Sequence, residues 1–265
     1  MGSLFPSLGN YRCDVRAPDG GEREHDGRDE YAGPPAVTGW RPDKLDASAK
    51  FGPTTRPVAV HDFPVVCVGG SAGGLDAYIR LLRHLPSDLG VAVVIVNHLR
   101  HTATLLHEIL PNYTKMPVDL ITERLAIQPN RVFIIPPQRD LHVLHGEFRL
   151  KPISKPRGWP DVITVFLRSL AENWSGRLVA VIVSGFDGDG AKALSAIRDV
   201  GGVVIAQKLD TAKQPDMPES AIASGYVDFV LSPEEIAVEI AKIARVHTRG
   251  GSASDRPNVG AARNL

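Results

Sequence analysis

Short runs of consecutive apolar, often β-branched residues alternate along this chain with segments of helical period, and this alternation most limits the fold. Pro64-Val-Val-Cys-Val68, Val91-Ala-Val-Val-Ile-Val96 and Leu178–Val183 are apolar without interruption. Such runs predict strands buried on both faces, because a half-solvated strand would show a polar residue at every second position. Between them, Leu75, Tyr78, Ile79, Leu82 and Leu85 recur at helical spacing before Pro86. Asp161–Trp174, Ala191–Val200, Pro218–Ser224 and Pro233–Val246 read as further helices, with Asp161 behind Pro160 as an N-cap. Thr104–Leu110 predicts a short helix, and Val118–Thr122, Val132–Ile135, Val203–Ala206 and Val227–Leu231 predict short strands. His142–Leu150 predicts a hairpin turning at His145-Gly146. The expected fold class is therefore α/β: a doubly wound, mostly parallel sheet with helices on both faces, three-layered and Rossmann-like.

Composition narrows the function. Thirty Lys and Arg balance thirty Asp and Glu in 265 residues, which argues against a surface that coats nucleic acid or an anionic membrane. The only cysteines are Cys13 and Cys67, so neither a disulfide framework nor a cysteine-based zinc cluster is expected. Val91–Val96 is an apolar run that no other exceeds in length, far short of the roughly 20 residues that span a bilayer. With no secretion signal apparent, the expectation is a soluble, cytoplasmic protein without membrane insertion. Residues 1–60 mix charge with glycine and proline and predict a disordered or loosely ordered segment. The globular domain is expected over 61–247, followed by a flexible tail over 248–265.

In parallel sheets sites gather at the carboxyl ends of strands, and three such ends carry chemistry. Val68-Gly-Gly-Ser-Ala-Gly-Gly74 contains Gly69-x-Ser71-x-Gly73, the spacing of a turn that presents a serine hydroxyl at a helix N-terminus. A phosphate loop or a purely structural turn competes with that reading, although neither Gly-x-Gly-x-x-Gly nor a P-loop lysine is present. Asn97-His-Leu-Arg100 places His98 just past a buried strand. It reads as a structural histidine or, beside Ser71, as a general base. Ser184-Gly-Phe-Asp-Gly-Asp-Gly190 carries two aspartates. Calcium-loop spacing is missing, which leaves a capped turn or a carboxylate that orients an imidazole. Spacing alone does not choose between Asp187 and Asp189.

Taken in order, these segments resemble the catalytic domain of the chemotaxis receptor methylesterases, the CheB-type family. Gly69–Gly74 is similar to that family's Gly-Ala-Ser-Thr-Gly-Gly loop, Asn97-His-Leu99 to its Gln-His-Met strand end, and Ser184–Gly190 to its Thr-Gly-Met-Gly-x-Asp-Gly loop. Val132–Pro137, Ile205-Ala-Gln207, Met217–Gly225 and Val227-Asp228 continue the likeness across the whole domain. The resemblance implies Ser71 as nucleophile, His98 as base and Asp189, not Asp187, as orienting carboxylate. It places the oxyanion donors at Ala72 and Phe186 and implies no metal or organic cofactor. The implied activity is serine-dependent hydrolysis of glutamate γ-methyl esters on a receptor-like protein, with glutamine deamidation through the same acyl intermediate.

The chain also departs from the pattern. Ala72 stands for the usual Thr, Phe186 for Met, Asp140 for a frequent His and Trp159 for a frequent basic residue. The irregular first 60 residues stand where typical members carry a phospho-receiver domain, so no receiver domain is expected. Implied partners are the methylated substrate, a CheR-type methyltransferase or a separate response regulator, with no nucleic acid. A catalytically weak or inactive interaction module is the competing reading, favoured by the altered loops and opposed by the complete triad. A nucleotide-binding regulator using Gly70–Gly74 is a third.

Overall fold

The computed structural model describes residues 63–97, 105–155 and 160–250. The expectations for residues 1–60, for most of the tail, and for His98 and Trp159 lie outside the described residues. The elements follow the sequence in order: β1 (Val65–Gly70), α1 (Gly74–His84), β2 (Ala92–Asn97), α2 (Leu106–Ile109), β3 (Val118–Leu120), β4 (Arg131–Ile134), β5 (Arg139–Leu144), β6 (Glu147–Pro152), α3 (Val162–Asn173), β7 (Leu178–Ile182), α4 (Leu194–Asp199), β8 (Val203–Gln207), α5 (Asp216–Ala223), β9 (Phe229–Leu231) and α6 (Pro233–Gly250).

Seven strands form one sheet in the order β3-β4-β2-β1-β7-β8-β9, and every neighbouring pair is parallel. From β1 the chain moves outward to β2, skips one position to β3 at the sheet edge and returns to β4 between β3 and β2. It then crosses back to β7 on the other side of β1. The winding direction therefore reverses between β1 and β7, the position at which sheets of this kind carry their sites, at the carboxyl ends of the strands.

The apolar runs are buried on both faces, as their unbroken pattern requires. Val65 and Cys67 of β1 point into a core built with α3, α4 and α5, whereas Val66 and Val68 point into one built with α1 and α6. The result is three layers, helix on sheet on helix. On the outer side of the second core, Arg80 of α1 makes a two-pronged contact with Glu234 of α6, at 2.7 Å and 2.9 Å. This guanidinium holds the Glu234 carboxyl down at about 2.

β5 and β6 form a separate antiparallel hairpin against α3. Its turn falls at His145-Gly146 as expected, and both residues have positive φ, the backbone of a two-residue type I′ connection. Phe148 of the hairpin meets Phe133 edge-on at 5.1 Å. The segment expected as one helix over Ala191–Val200 opens with a 3₁₀ turn at Ala191–Ala193. Among the described residues, no helix is long and apolar enough to cross a membrane.

Candidate active site

Ser71 and the Ser184–Gly190 segment meet at the reversal of winding, because β1 and β7 are adjacent and end together. Strand pairing carries through to Gly69 opposite Ile182. Beyond it the Val183 N–H donates to Gly69 O at 2.8 Å and the Ser71 N–H donates to Ser184 O at 3.0 Å. On the other side of β1, Gly70 lies opposite Asn97, the last residue of β2. His98 follows Asn97 in sequence and lies outside the described residues. The structure thus brings the Ser71, Ala72, Phe186 and Asp189 segments together at one end of the sheet, while His98 lies outside the described residues.

The turn after β1 is tight because glycine permits it. Gly73 has φ +76°, and a Cβ there would stand 2.6 Å from the Ser184 hydroxyl and 2.7 Å from the Lys213 Cβ. Gly185 is the matching close approach from β7, since a Cβ on it would meet Met217 and would stand 2.9 Å from the Ser71 Cβ. Beneath the turn sits Tyr78 of α1, fully buried, its hydroxyl without a hydrogen-bond partner among the described residues. Burial, with Cys67 nearby, pushes this phenol well above its ordinary range.

The backbone groups around Ser71 can be counted. The Ser71 N–H goes to Ser184 O, the Gly74 N–H donates to Ser71 O at 3.0 Å, and the Ser184 hydroxyl donates to Ala72 O at 2.9 Å. The N–H groups of Ala72 and Phe186 have no acceptor among the described residues. The Ser71 hydroxyl likewise makes no hydrogen bond to them. Two open N–H donors beside an open hydroxyl suit attack on a carbonyl, whose oxygen becomes an anion. Cys67, the other nucleophilic side chain in this region, is unsuited. Burial and then the charge of Asp189 push its thiol far above the usual range.

Asp189 and Asp187, which spacing did not separate, differ sharply in structure. Asp187 has φ +75° and is half-buried, and its Oδ1 accepts the Asp189 N–H at 2.9 Å. It shapes the turn. Asp189 is only 7% exposed. Its Oδ2 accepts the Ile163 N–H at 2.8 Å and its Oδ1 the Thr164 N–H at 2.9 Å. These are N–H groups of the first turn of α3, where a helix lacks internal acceptors and favours negative charge. The Thr164 hydroxyl answers by accepting the Gly190 N–H at 2.9 Å. Asp161, expected to cap α3 through its side chain, stands at the N-cap position but makes no capping bond. Asp189 occupies those donors, and the Asp161 carboxylate pairs with Lys155 instead.

Two residues that the sequence placed in motifs without a role of their own support this region. Ser184 is 1% exposed and bonds both the Ser71 turn and the segment after β8, accepting the Gln214 N–H at 2.9 Å. Gln207, also 1% exposed, accepts the Ser184 N–H at 2.9 Å. The available signal was a polar residue closing an otherwise apolar strand, Val203–Gln207. Among the described residues, no group of three or more His, Cys, Asp or Glu is placed to hold a metal ion.

Comparison with known proteins bears on the same region. The family model for CheB methylesterase matches residues 66–240. A protein-glutamate methylesterase/protein-glutamine glutaminase 2 of Burkholderia lata is 35% identical over 187 residues, which cover 68% of this chain and 54% of that protein. A protein-glutamate methylesterase/protein-glutamine glutaminase 4 of Burkholderia thailandensis is 32% identical over 185 residues, 69% of this chain and 54% of its own. The chain therefore spans about half the length of the curated relatives it matches. The crystal structure of the Thermotoga maritima CheB methylesterase catalytic domain superposes with a TM-score of 0.61 at 25% identity, covering 68% of this chain and 98% of that one.

Proposed function

Because the chain belongs to the CheB methylesterase family, we propose that it is a carboxylic-ester hydrolase that removes γ-methyl groups from glutamate side chains of a methylated protein. The observation that carries this reading is the open Ser71 hydroxyl flanked by the open N–H groups of Ala72 and Phe186 at the reversal of the sheet. In the reaction, His98 takes the Ser71 proton as Oγ attacks the ester carbonyl. The Ala72 and Phe186 N–H groups hold the oxyanion. Collapse breaks the bond to the methoxy group, which leaves as methanol with the proton from His98. Water, deprotonated by His98, then cleaves the glutamyl-Ser71 ester and frees the carboxylate.

Asp189 holds the imidazole and stabilises its cation. A glutamine side chain would enter the same cycle with ammonia as the leaving group, giving deamidation as a second activity. Leu75 and Phe186, 39% and 45% exposed, flank the nucleophile turn and give a protein substrate an apolar rim to rest on. The implied setting is the cytoplasm, with a CheR-type methyltransferase supplying the ester and a separate response regulator as a further partner. Methanol release from methylated candidate proteins tests the reading. Wild type should release it and Ser71→Ala should not; equal release by both would refute it.

A further inference from the structure

We propose that Ser184 and Gln207 are positioning residues that aim the Ala72 N–H at the reacting carbonyl oxygen, an inference that rests on the hydrolase reading above. Among the described residues, every backbone polar group of Ser71 and Ala72 is engaged except one, the Ala72 N–H. The peptide joining the two residues is planar and trans, so Ser71 O and the Ala72 N–H point in opposite directions. Ser71 O is held by the Gly74 N–H at 3.0 Å, which turns the Ala72 N–H outward. The groups on either side of that peptide are fixed by a single residue. Ser184 O accepts the Ser71 N–H at 3.0 Å, and the Ser184 hydroxyl donates to Ala72 O at 2.9 Å. The peptide plane that bears the donor is thus clamped from both ends.

Ser184 is itself held from behind. Its N–H ends on Gln207 Oε1 at 2.9 Å, and Gln207 Nε2 donates to Thr211 O and Oγ1 at 2.9 Å and 3.2 Å. The Gln214 N–H donates to the Ser184 hydroxyl at 2.9 Å. The chain of bonds runs from the segment after β8 through two buried polar side chains to the oxyanion donor. A buried hydroxyl and a buried amide are costly unless satisfied, and here all their bonds serve to fix two loops. A donor aimed in advance is effective because it needs no reorganisation when the oxyanion forms.

The probe is a fluorophosphonate, whose phosphoryl oxygen occupies the oxyanion position. The Ser71 Oγ–P bond forms as the P–F bond breaks, fluoride leaves, and the hydroxyl proton passes to the base. For Ser184→Ala the second-order labelling rate at Ser71 should fall about fifty-fold, the scale on which a misplaced oxyanion donor acts. Ser184→Thr, which keeps the hydroxyl, should recover to within about threefold of wild type. Gln207→Leu should lose about tenfold and serves if Ser184→Ala does not fold. The pH midpoint of labelling should not move in any variant, since the base is untouched. Ser169→Ala is the structural control: that buried hydroxyl accepts the Val143 N–H at 2.9 Å, tying the hairpin to α3. It should lower the melting temperature without slowing the labelling.

Wild-type rates for Ser184→Ala, no recovery in Ser184→Thr, or equal slowing by Ser169→Ala would each overturn the positioning role. Wild type that is not labelled at Ser71 would overturn the hydrolase reading itself, and the positioning role with it.

Discussion

The two loops that meet at the carboxyl ends of β1 and β7 are built in opposite ways. The turn after β1 is nearly bare: glycines at 69, 70, 73 and 74 surround Ser71 and Ala72, and its shape comes from bonds that others make to it. The loop after β7 spends its side chains on backbone. Ser184 holds the β1 turn, Asp187 holds its own loop, and Asp189 holds the start of α3. A bare turn lets a substrate approach closely but cannot fix itself, so its accuracy is borrowed from the neighbouring loop. Disturbing the lender should therefore cost more than disturbing the borrower wherever the change is not at Ser71 itself.

The largest expected effect is at Asp189. Asp189→Asn should lower turnover by up to about four powers of ten while changing substrate affinity little, as loss of an orienting carboxylate does. It should also cost about 1–2 kcal/mol of stability, because one of its two acceptor positions at the α3 N-terminus becomes a donor. Asp187→Asn keeps an acceptor for the Asp189 N–H and should lose less than about tenfold. Steady-state constants and melting curves on a methylated substrate measure both. A silent Asp189→Asn beside a crippled Asp187→Asn would reverse the roles of the two residues.

Next comes the close approach at Gly185. Gly185→Ala should destabilise by about 3 kcal/mol, because the added methyl must displace Met217 and crowd Ser71 in a packed interior. Chemical denaturation gives the figure, and a loss under 1 kcal/mol would mean that the loops can separate more easily than their contacts suggest. Thr164→Val is smaller, about 1 kcal/mol, since the Gly190 N–H keeps Asp189 Oδ1 at 2.7 Å as a second acceptor. Tyr78→Phe tests the borrower. Its hydroxyl lies under the β1 turn without a partner among the described residues, so removing it should leave stability unchanged or raise it by up to about 1 kcal/mol.

The smallest effect lies outside both loops. Glu234 has its carboxyl lowered from 4.5 to about 2 by Arg80. Stability from that pair is complete above pH 4.5 and is lost as the pH falls towards 2, because the unfolded chain binds the proton first. Glu234→Gln should flatten this acid limb. At neutral pH it should cost below about 1 kcal/mol, since solvent screens a partly exposed pair. Melting temperatures from pH 2 to 7 check both.

These loops also separate what the sequence could reveal from what it could not. The strands were legible because a parallel strand covered on both faces has to be apolar throughout, and Val65–Val68, Ala92–Val96 and Leu178–Ile182 are. The hairpin was legible because His145-Gly146 suits a turn with two positive φ angles. The α3 cap was not. A local rule nominates Asp161, yet the bonds come from Asp189, 26 residues from Ile163, through a contact that exists only once the sheet has assembled. The role of Ser184 stayed hidden for the same reason: that serine lies 112 residues from the Ala72 carbonyl it holds. Ser71 and the Asp189 loop could be singled out because each follows an apolar run directly. The support behind them could not, because it is made of single polar residues whose partners are distant in the chain.

The capping of α3 by Asp189 has a consequence for how relatives of this chain should be interpreted. A descendant that no longer used the chemistry would still need an acceptor at the mouth of α3, and mutational drift at this position would be checked by the requirement to fold. An aspartate there is a poor marker of activity, since folding alone would preserve it. The Ser71 hydroxyl supports nothing among the described residues, so under the proposed function only the reaction would retain it against replacement by alanine. When sequences of this kind are sorted into working and silent members, the informative letter is the serine.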